Sequence, residues 1–254
     1  MRGLLICLFA MAAAPALADT TAVYVSPAGN VTSTIEIATN GDFRSDIAGE
    51  PSAYLLSLSG HGFMITPTPK GPVVDRIEDV KPALVALFEK RGPPDFEART
   101  KKMESGADTG MPMTLVPGDD IIVQGRKGTP YYTARRSPET PDHISGNPPP
   151  NGSPPVIVIS KDPELAQLGI AMARQFQLMN STAPWSVVGP FIIRRAEDIL
   201  KTGAPLDIYD SELTTVSHDP IPPSRFKLPA EPESREDLIK RLDAPGADHS
   251  VSPF

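Results

Sequence analysis

The stretch Val31-Thr32-Ser33-Thr34-Ile35-Glu36-Ile37, followed by Asn40-Gly41-Asp42, decides how this chain reads. Val31, Ser33, Ile35 and Ile37 fall on one side of an extended backbone, and Thr32, Thr34 and Glu36 on the other. A period of two marks a strand with one buried face. Asn40-Gly41 is a strong hairpin signal, so 42–47 returns as the next strand. On the N-terminal side, 22–25 is a strand stopped by Pro27-Ala28-Gly29. On the C-terminal side, 54–58 and 63–66 form a further hairpin about a Gly60-His61-Gly62 turn, and Pro67, Pro69, Gly71 and Pro72 then break the pattern. The first third is thus an antiparallel meander.

The remainder alternates helices with short strands. Pro82 suits a first helical position, where its missing N–H costs nothing. This predicts a helix over 82–91 with Leu84, Leu87 and Phe88 on one face, stopped by Gly92-Pro93-Pro94. Residues 93–118 read as a polar loop. Strands follow at 120–124 and 131–135, joined by a 125–128 turn, and 156–160 is a continuous apolar strand. Asp162-Pro163-Glu164 is a strong helix start, an N-cap acid followed by proline and a second acid. Leu165, Leu168, Ala171, Met172, Gln175, Phe176 and Met179 form the inner stripe of that helix. A short helix at 194–201 ends at Gly203, 206–209 and 213–217 pair as a hairpin, and Ser234 caps a last helix running to about residue 242. The expected fold class is α+β, a curved antiparallel β-sheet packed on two to four helices. Residues 19–230 form one domain, with an irregular proline-rich insertion at 137–155, and 231–254 form a C-terminal helix and tail.

Composition sets the class. The chain has 254 residues, a net charge of −7, 40% hydrophobic residues and 30 prolines, against a usual proline level of about 5%. Many short elements and irregular connections follow. No basic patch stands out, which argues against nucleic acid as a partner. Arg2, the apolar run 4–14 and Ala16-Leu17-Ala18 are the three parts of a secretory signal peptide cleaved after Ala18. That run is shorter than the roughly 20 residues of a transmembrane helix. The single cysteine, Cys7, lies within the signal, so the expected mature chain carries no thiol. A periplasmic or secreted location is the expectation.

The chemistry-bearing residues form no recognised motif. His61, His143, His218 and His249 show no metal-ligand spacing, and neither a metal nor another cofactor is expected. Ser160 follows a buried strand and precedes a helix, the setting of a nucleophile, yet lacks the glycines of an elbow. Gly125-Arg126-Lys127-Gly128-Thr129 has the look of a phosphate loop but links two strands rather than entering a helix, and it reads as a basic hairpin turn. Asp119-Asp120 and Glu197-Asp198 read as solvated acids.

Two stretches resemble the LolA/LolB-like proteins: the opening meander from Ile35 through Asn40-Gly41-Asp42-Phe43-Arg44 to Ile65, and the closing 203–229 segment with its Phe226-Lys227-Leu228-Pro229 phrase. The resemblance covers about half of the expected mature chain and is structural. It implies a half-barrel sheet wrapped around helices, with an acyl chain or lipoprotein held between them. The long insertion at 137–155, the 93–118 loop and the extra C-terminal helix depart from that pattern.

The leading functional expectation is a periplasmic binding or carrier protein with an apolar groove for a lipid, acyl chain or other hydrophobic small molecule. Tyr54, Leu56, Leu58, Phe63 and Ile65 would line it from the sheet, and Leu168, Met172, Phe176 and Met179 from the helix. The same residues also fit a plain packed core. A second reading is a non-catalytic interaction module of the cell envelope that meets an envelope protein through Trp185 and the proline-rich loops. A third is an enzyme, with His61 as the first place to look.

Overall fold

The computed structural model describes residues 18–48, 53–91, 113–136, 144–145, 154–182 and 196–244. The predicted signal segment, most of the 137–155 insertion, Trp185, His143 and His249 lie outside these residues.

The meander forms as its pattern dictates. Strands β1 (Thr20–Val25), β2 (Val31–Ile37), β3 (Phe43–Ile47), β4 (Tyr54–Leu58), β5 (His61–Thr66) and β6 (Val73–Arg76) pair antiparallel in sequence order. Ile35 and Ile37 are buried on the side the alternation assigns. The β4–β5 turn is Ser59-Gly60, both at positive φ, the two-residue geometry that matches strand twist. His61 therefore opens β5 and does not sit at the turn. Strand β6 follows the proline-rich break at 67–72, where no local pattern announces a strand.

Seven further strands complete the sheet: β7 (Met113–Pro117), β8 (Ile121–Val123), β9 (Arg126–Arg136), β10 (Ile144–Ser145), β11 (Ile157–Ser160), β12 (Ala204–Ile208) and β13 (Ser211–Ser217). Thirteen strands among the described residues run in the order β10-β9-β11-β12-β13-β1-β2-β3-β4-β5-β6, with β7 and β8 also pairing to β9. The sheet is open and antiparallel, and with its helices the class is α+β as expected. Strand β7 corrects the loop reading of 93–118. The turn expected at 125–128 is Gln124-Gly125 alone, and β9 begins at Arg126.

Helix α1 (Ile77–Arg91) starts directly after β6 and carries Pro82 in its interior. The expected start at Pro82 is thus five residues late. Pro82 removes one helical hydrogen bond to the Glu78 carbonyl, and both residues are exposed. Helix α2 (Ala166–Thr182) follows a 3₁₀ turn over Pro163–Leu165, with the Asp162 carboxylate accepting from the Glu164 N–H at 3.1 Å. Helix α3 (Arg235–Asp243) is capped by Ser234, which accepts from Asp237 N–H at 3.1 Å. No helix among the described residues is long and apolar enough to cross a membrane.

The main core lies between one sheet face and α2. Leu165, Leu168, Met172, Phe176 and Leu178 meet Ala22, Tyr24, Ile35, Ile37, Phe43 and Leu55 there. Each large side chain so buried contributes roughly 1.5–3 kcal/mol before entropy. The fully buried Tyr24 hydroxyl donates to the Pro205 carbonyl at 2.8 Å, tying β1 to β12, and burial raises its pKa. Helix α2 approaches the sheet closely because Gly169 meets Gly203, and Gly203 in turn lies on the Ser160 backbone. A Cβ on Gly203 would stand 2.2 Å from the Ser160 carbonyl oxygen.

The opposite sheet face is crossed by the chain after β13. Ile221 N–H donates to Asp19 at 2.8 Å. Arg225 grips Glu36 on β2 and Asp46 on β3, each at 2.7 Å. Leu228 packs on Leu56, Phe63, Ile65 and Val74. Glu233 N–H then donates to the Val74 carbonyl at 2.9 Å. This strap leads into α3, which packs Leu238 and Leu242 on Val80, Ala83 and Leu87 of α1.

Candidate functional site

Strand β9 pairs with β11, placing Thr129 beside Ile159. That pairing brings 125–129 alongside 159–162, two segments that carry no motif when each is taken alone. Gly128 allows the close fit: a Cβ there would lie 2.8 Å from Val158 Cγ1, 3.0 Å from Leu206 Cδ1 and 3.2 Å from the Ile159 carbonyl oxygen. Between the segments lies an open cleft of about 670 Å³, lined by Asp120, 125–129 and 159–162.

Its charged side chains are held by identifiable partners. On one side Lys127 Nζ lies 2.8 Å from Asp120, and Thr129 Oγ1 donates to the same carboxylate at 2.7 Å. These hydrogen bonds, with a smaller attraction from Lys161, hold the Asp120 carboxyl below its usual pKa, and Asp120 in turn raises Lys127. On the other side Arg126 donates to Asp162 at 2.7 Å and to Glu164 at 3.2 Å. The Glu164 carboxylate also lies 3.4 Å from His218 Nε2. Ser160 is buried at the cleft floor, and its oxygen accepts from the Asp162 N–H at 3.2 Å. Lys161 is exposed and has no carboxylate partner among the described residues.

The nine residues expected to line an apolar groove fall into two separate clusters. Leu168, Met172 and Phe176 are buried in the core between α2 and the sheet, and Met179 is half-buried on the same helix. Tyr54, Leu56, Leu58, Phe63 and Ile65 cluster with Val74 and Leu228 instead. Leu56 pairs with Phe63 and Tyr54 with Ile65, and cross-strand pairs share a face. Leu55, which alternates with them, is the β4 residue in the α2 core. The five strand residues therefore lie on the opposite sheet face, beneath the strap. The structure does not bring them together with the helix residues.

His61 is exposed, with Glu78 at 3.8 Å as its acidic neighbour. Glu78 Oε1 also accepts from the Gly62 N–H at 3.1 Å. No group of three His, Cys, Asp or Glu among the described residues is arranged to hold a metal ion. Comparison with family models, with curated proteins and with solved structures finds no match for this chain.

Proposed function

We propose that this protein is an exported, non-catalytic binding protein of LolA/LolB-like half-barrel shape, processed after Ala18, whose ligand seat is the polar cleft between β9 and β11. The observation that carries this reading is the cleft itself, about 670 Å³ and walled by Arg126, Lys127, Lys161, Asp120 and Asp162. Small-molecule sites are concave, of this size, and place a few polar groups on rigid elements. Here the walls are strand ends and a capped helix start. The space between sheet and α2 is filled by side chains instead. Export is supported by the three-part signal at 1–18 and by Asp19, whose carboxylate accepts from Thr39 N–H and Ile221 N–H and is thus part of the fold.

Native mass spectrometry of the protein isolated from its host's envelope fraction tests this. A co-purified polar molecule that is lost from a Lys161→Gln variant supports the cleft. A clean mass, together with no small polar compound perturbing the 125–129 and 159–162 amides by NMR, overturns it.

The apolar-carrier reading retains one specific support: Tyr54, Leu56, Leu58, Phe63 and Ile65 do form a contiguous cluster, closed by the partly buried Leu228. An acyl chain would have to displace the strap to reach it. A co-purified lipid released by Leu56→Ala would favour that reading over the cleft.

A further inference from the structure

Resting on the cleft as the ligand seat, the arrangement of its charges says what kind of molecule it takes. On the Asp120 side stand two ammonium groups, Lys127 and Lys161, and one carboxylate, a surplus of one positive charge. On the Arg126 side stand the Arg126 guanidinium and the Asp162 carboxylate, and Glu164, just beyond the lining, adds a second carboxylate 3.2 Å from Arg126, a surplus of one negative charge at that rim. With the Glu164 rim included, the charges balance, and the positive and negative surpluses stand on opposite sides.

We propose that this cleft selects a small zwitterion, its anionic group at Lys127 and Lys161 and its ammonium at Asp162 and Glu164. A ligand with only an anionic group meets the surplus carboxylates at the far side, and one with only an ammonium meets the lysine pair. An apolar ligand would desolvate the five charged groups of the lining and return nothing. Complementary charge at both ends sets specificity through repulsion of the wrong partner as much as attraction of the right one. The Ser160 oxygen at the floor accepts from the Asp162 N–H and so holds the turn that carries Lys161 and Asp162. Two sources present this chemistry: free amino acids and short peptides, or the phosphoethanolamine headgroup of a lipid.

The test is an NMR titration of the purified protein with triglycine and glycerophosphoethanolamine as zwitterions, and with glycerophosphate and ethanolamine as compounds carrying only the anionic or only the cationic group. Sedimentation with phosphatidylethanolamine vesicles separates a lipid source from a soluble one. The expected result is that at least one zwitterion shifts the 125–129 and 159–162 amides and binds about tenfold or more tightly than either single-sign compound. Lys161→Gln should weaken the zwitterion about tenfold while sparing ethanolamine, Lys161→Arg should restore it, and Glu164→Gln should weaken it while sparing glycerophosphate. Lys161 and Glu164 are exposed, and thermal melts of the variants check that folding is kept. The zwitterion assignment falls if a single-sign compound binds as tightly as the zwitterion, if neither variant changes binding, or if no zwitterion shifts these amides. Glycerophosphate alone shifting them overturns the zwitterion and keeps the cleft. Shifts confined to other surfaces overturn the cleft as well.

Discussion

Replacing Asp207 by Asn should stabilise the protein at neutral pH and leave it unchanged in acid. Asp207 lies in β12 between the buried Leu206 and Ile208, with Val158 and Glu212 as its cross-strand neighbours. Its Oδ1 is buried and has no hydrogen-bond partner among the described residues. Partial burial first, then the Glu212 and Asp210 charges, push its pKa from 3.8 up to about 6. The folded state therefore holds the proton more tightly than the unfolded chain does. The resulting stability is fully present below about 3.8 and is lost as pH rises through about 6. A tenfold difference in proton affinity between the two states corresponds to about 1.4 kcal/mol. Because the residue is only half-buried, solvent screening reduces the whole effect to about 1–2 kcal/mol. Urea unfolding of both proteins at about pH 3 and about pH 7.5 measures it, and the difference between them cancels the other titrating groups. Asp207→Asn should match the parent in acid and exceed it by that amount near neutrality. A difference that does not change with pH, or a variant less stable at neutral pH, would refute the argument that this carboxylate is ionised against its surroundings.

Three more outcomes follow from the packing. Gly203→Ala drives a Cβ against the Ser160 backbone and should cost about 3 kcal/mol. Gly41→Ala, with φ +87 but open space around it, should cost only about 1 kcal/mol, and chemical denaturation compares the two. Arg225→Ala removes the ion pairs to Glu36 and Asp46, the latter keeping Arg44; it should lower stability by about 1 kcal/mol, less in high salt, and speed limited proteolysis within 221–233. Leu56→Ala and Leu168→Ala should each cost about 2–5 kcal/mol. Because the two residues belong to separate clusters, the double variant should be additive within about 0.5 kcal/mol. A large coupling energy would mean that one apolar body contains both residues.

Much of the fold is legible locally, because its signals are local. The alternation in 31–37 places Ile35 and Ile37 toward the core in any sheet with one apolar side. Asp162 and Ser234 satisfy orphan N–H groups of the turns they precede, which depends on neighbours two and three residues away. Helix α1 shows the limit. Its first turn carries the acids Glu78 and Asp79, but Pro82 imitates a start five residues later, and the placement of Ile77 and Val80 in the packed interior fixes the first turn.

Short-range pattern is therefore enough for strands β1 to β5 of the meander, the two capped helix starts and the inner stripe of α2. Which side of β4 and β5 faces that helix is settled only by long-range pairing. Both sides of these strands are apolar, one under α2 and one under the strap, so a period of two distinguishes the sets without saying which is which. The choice is made by register, as Ile35 lies beside Ser45 and Ser45 beside Leu55. The cleft has the same origin. Its two halves are some thirty residues apart in the chain, and each alone is an ordinary strand end. Only the pairing of β9 with β11 gives the lysines and the carboxylates a common space.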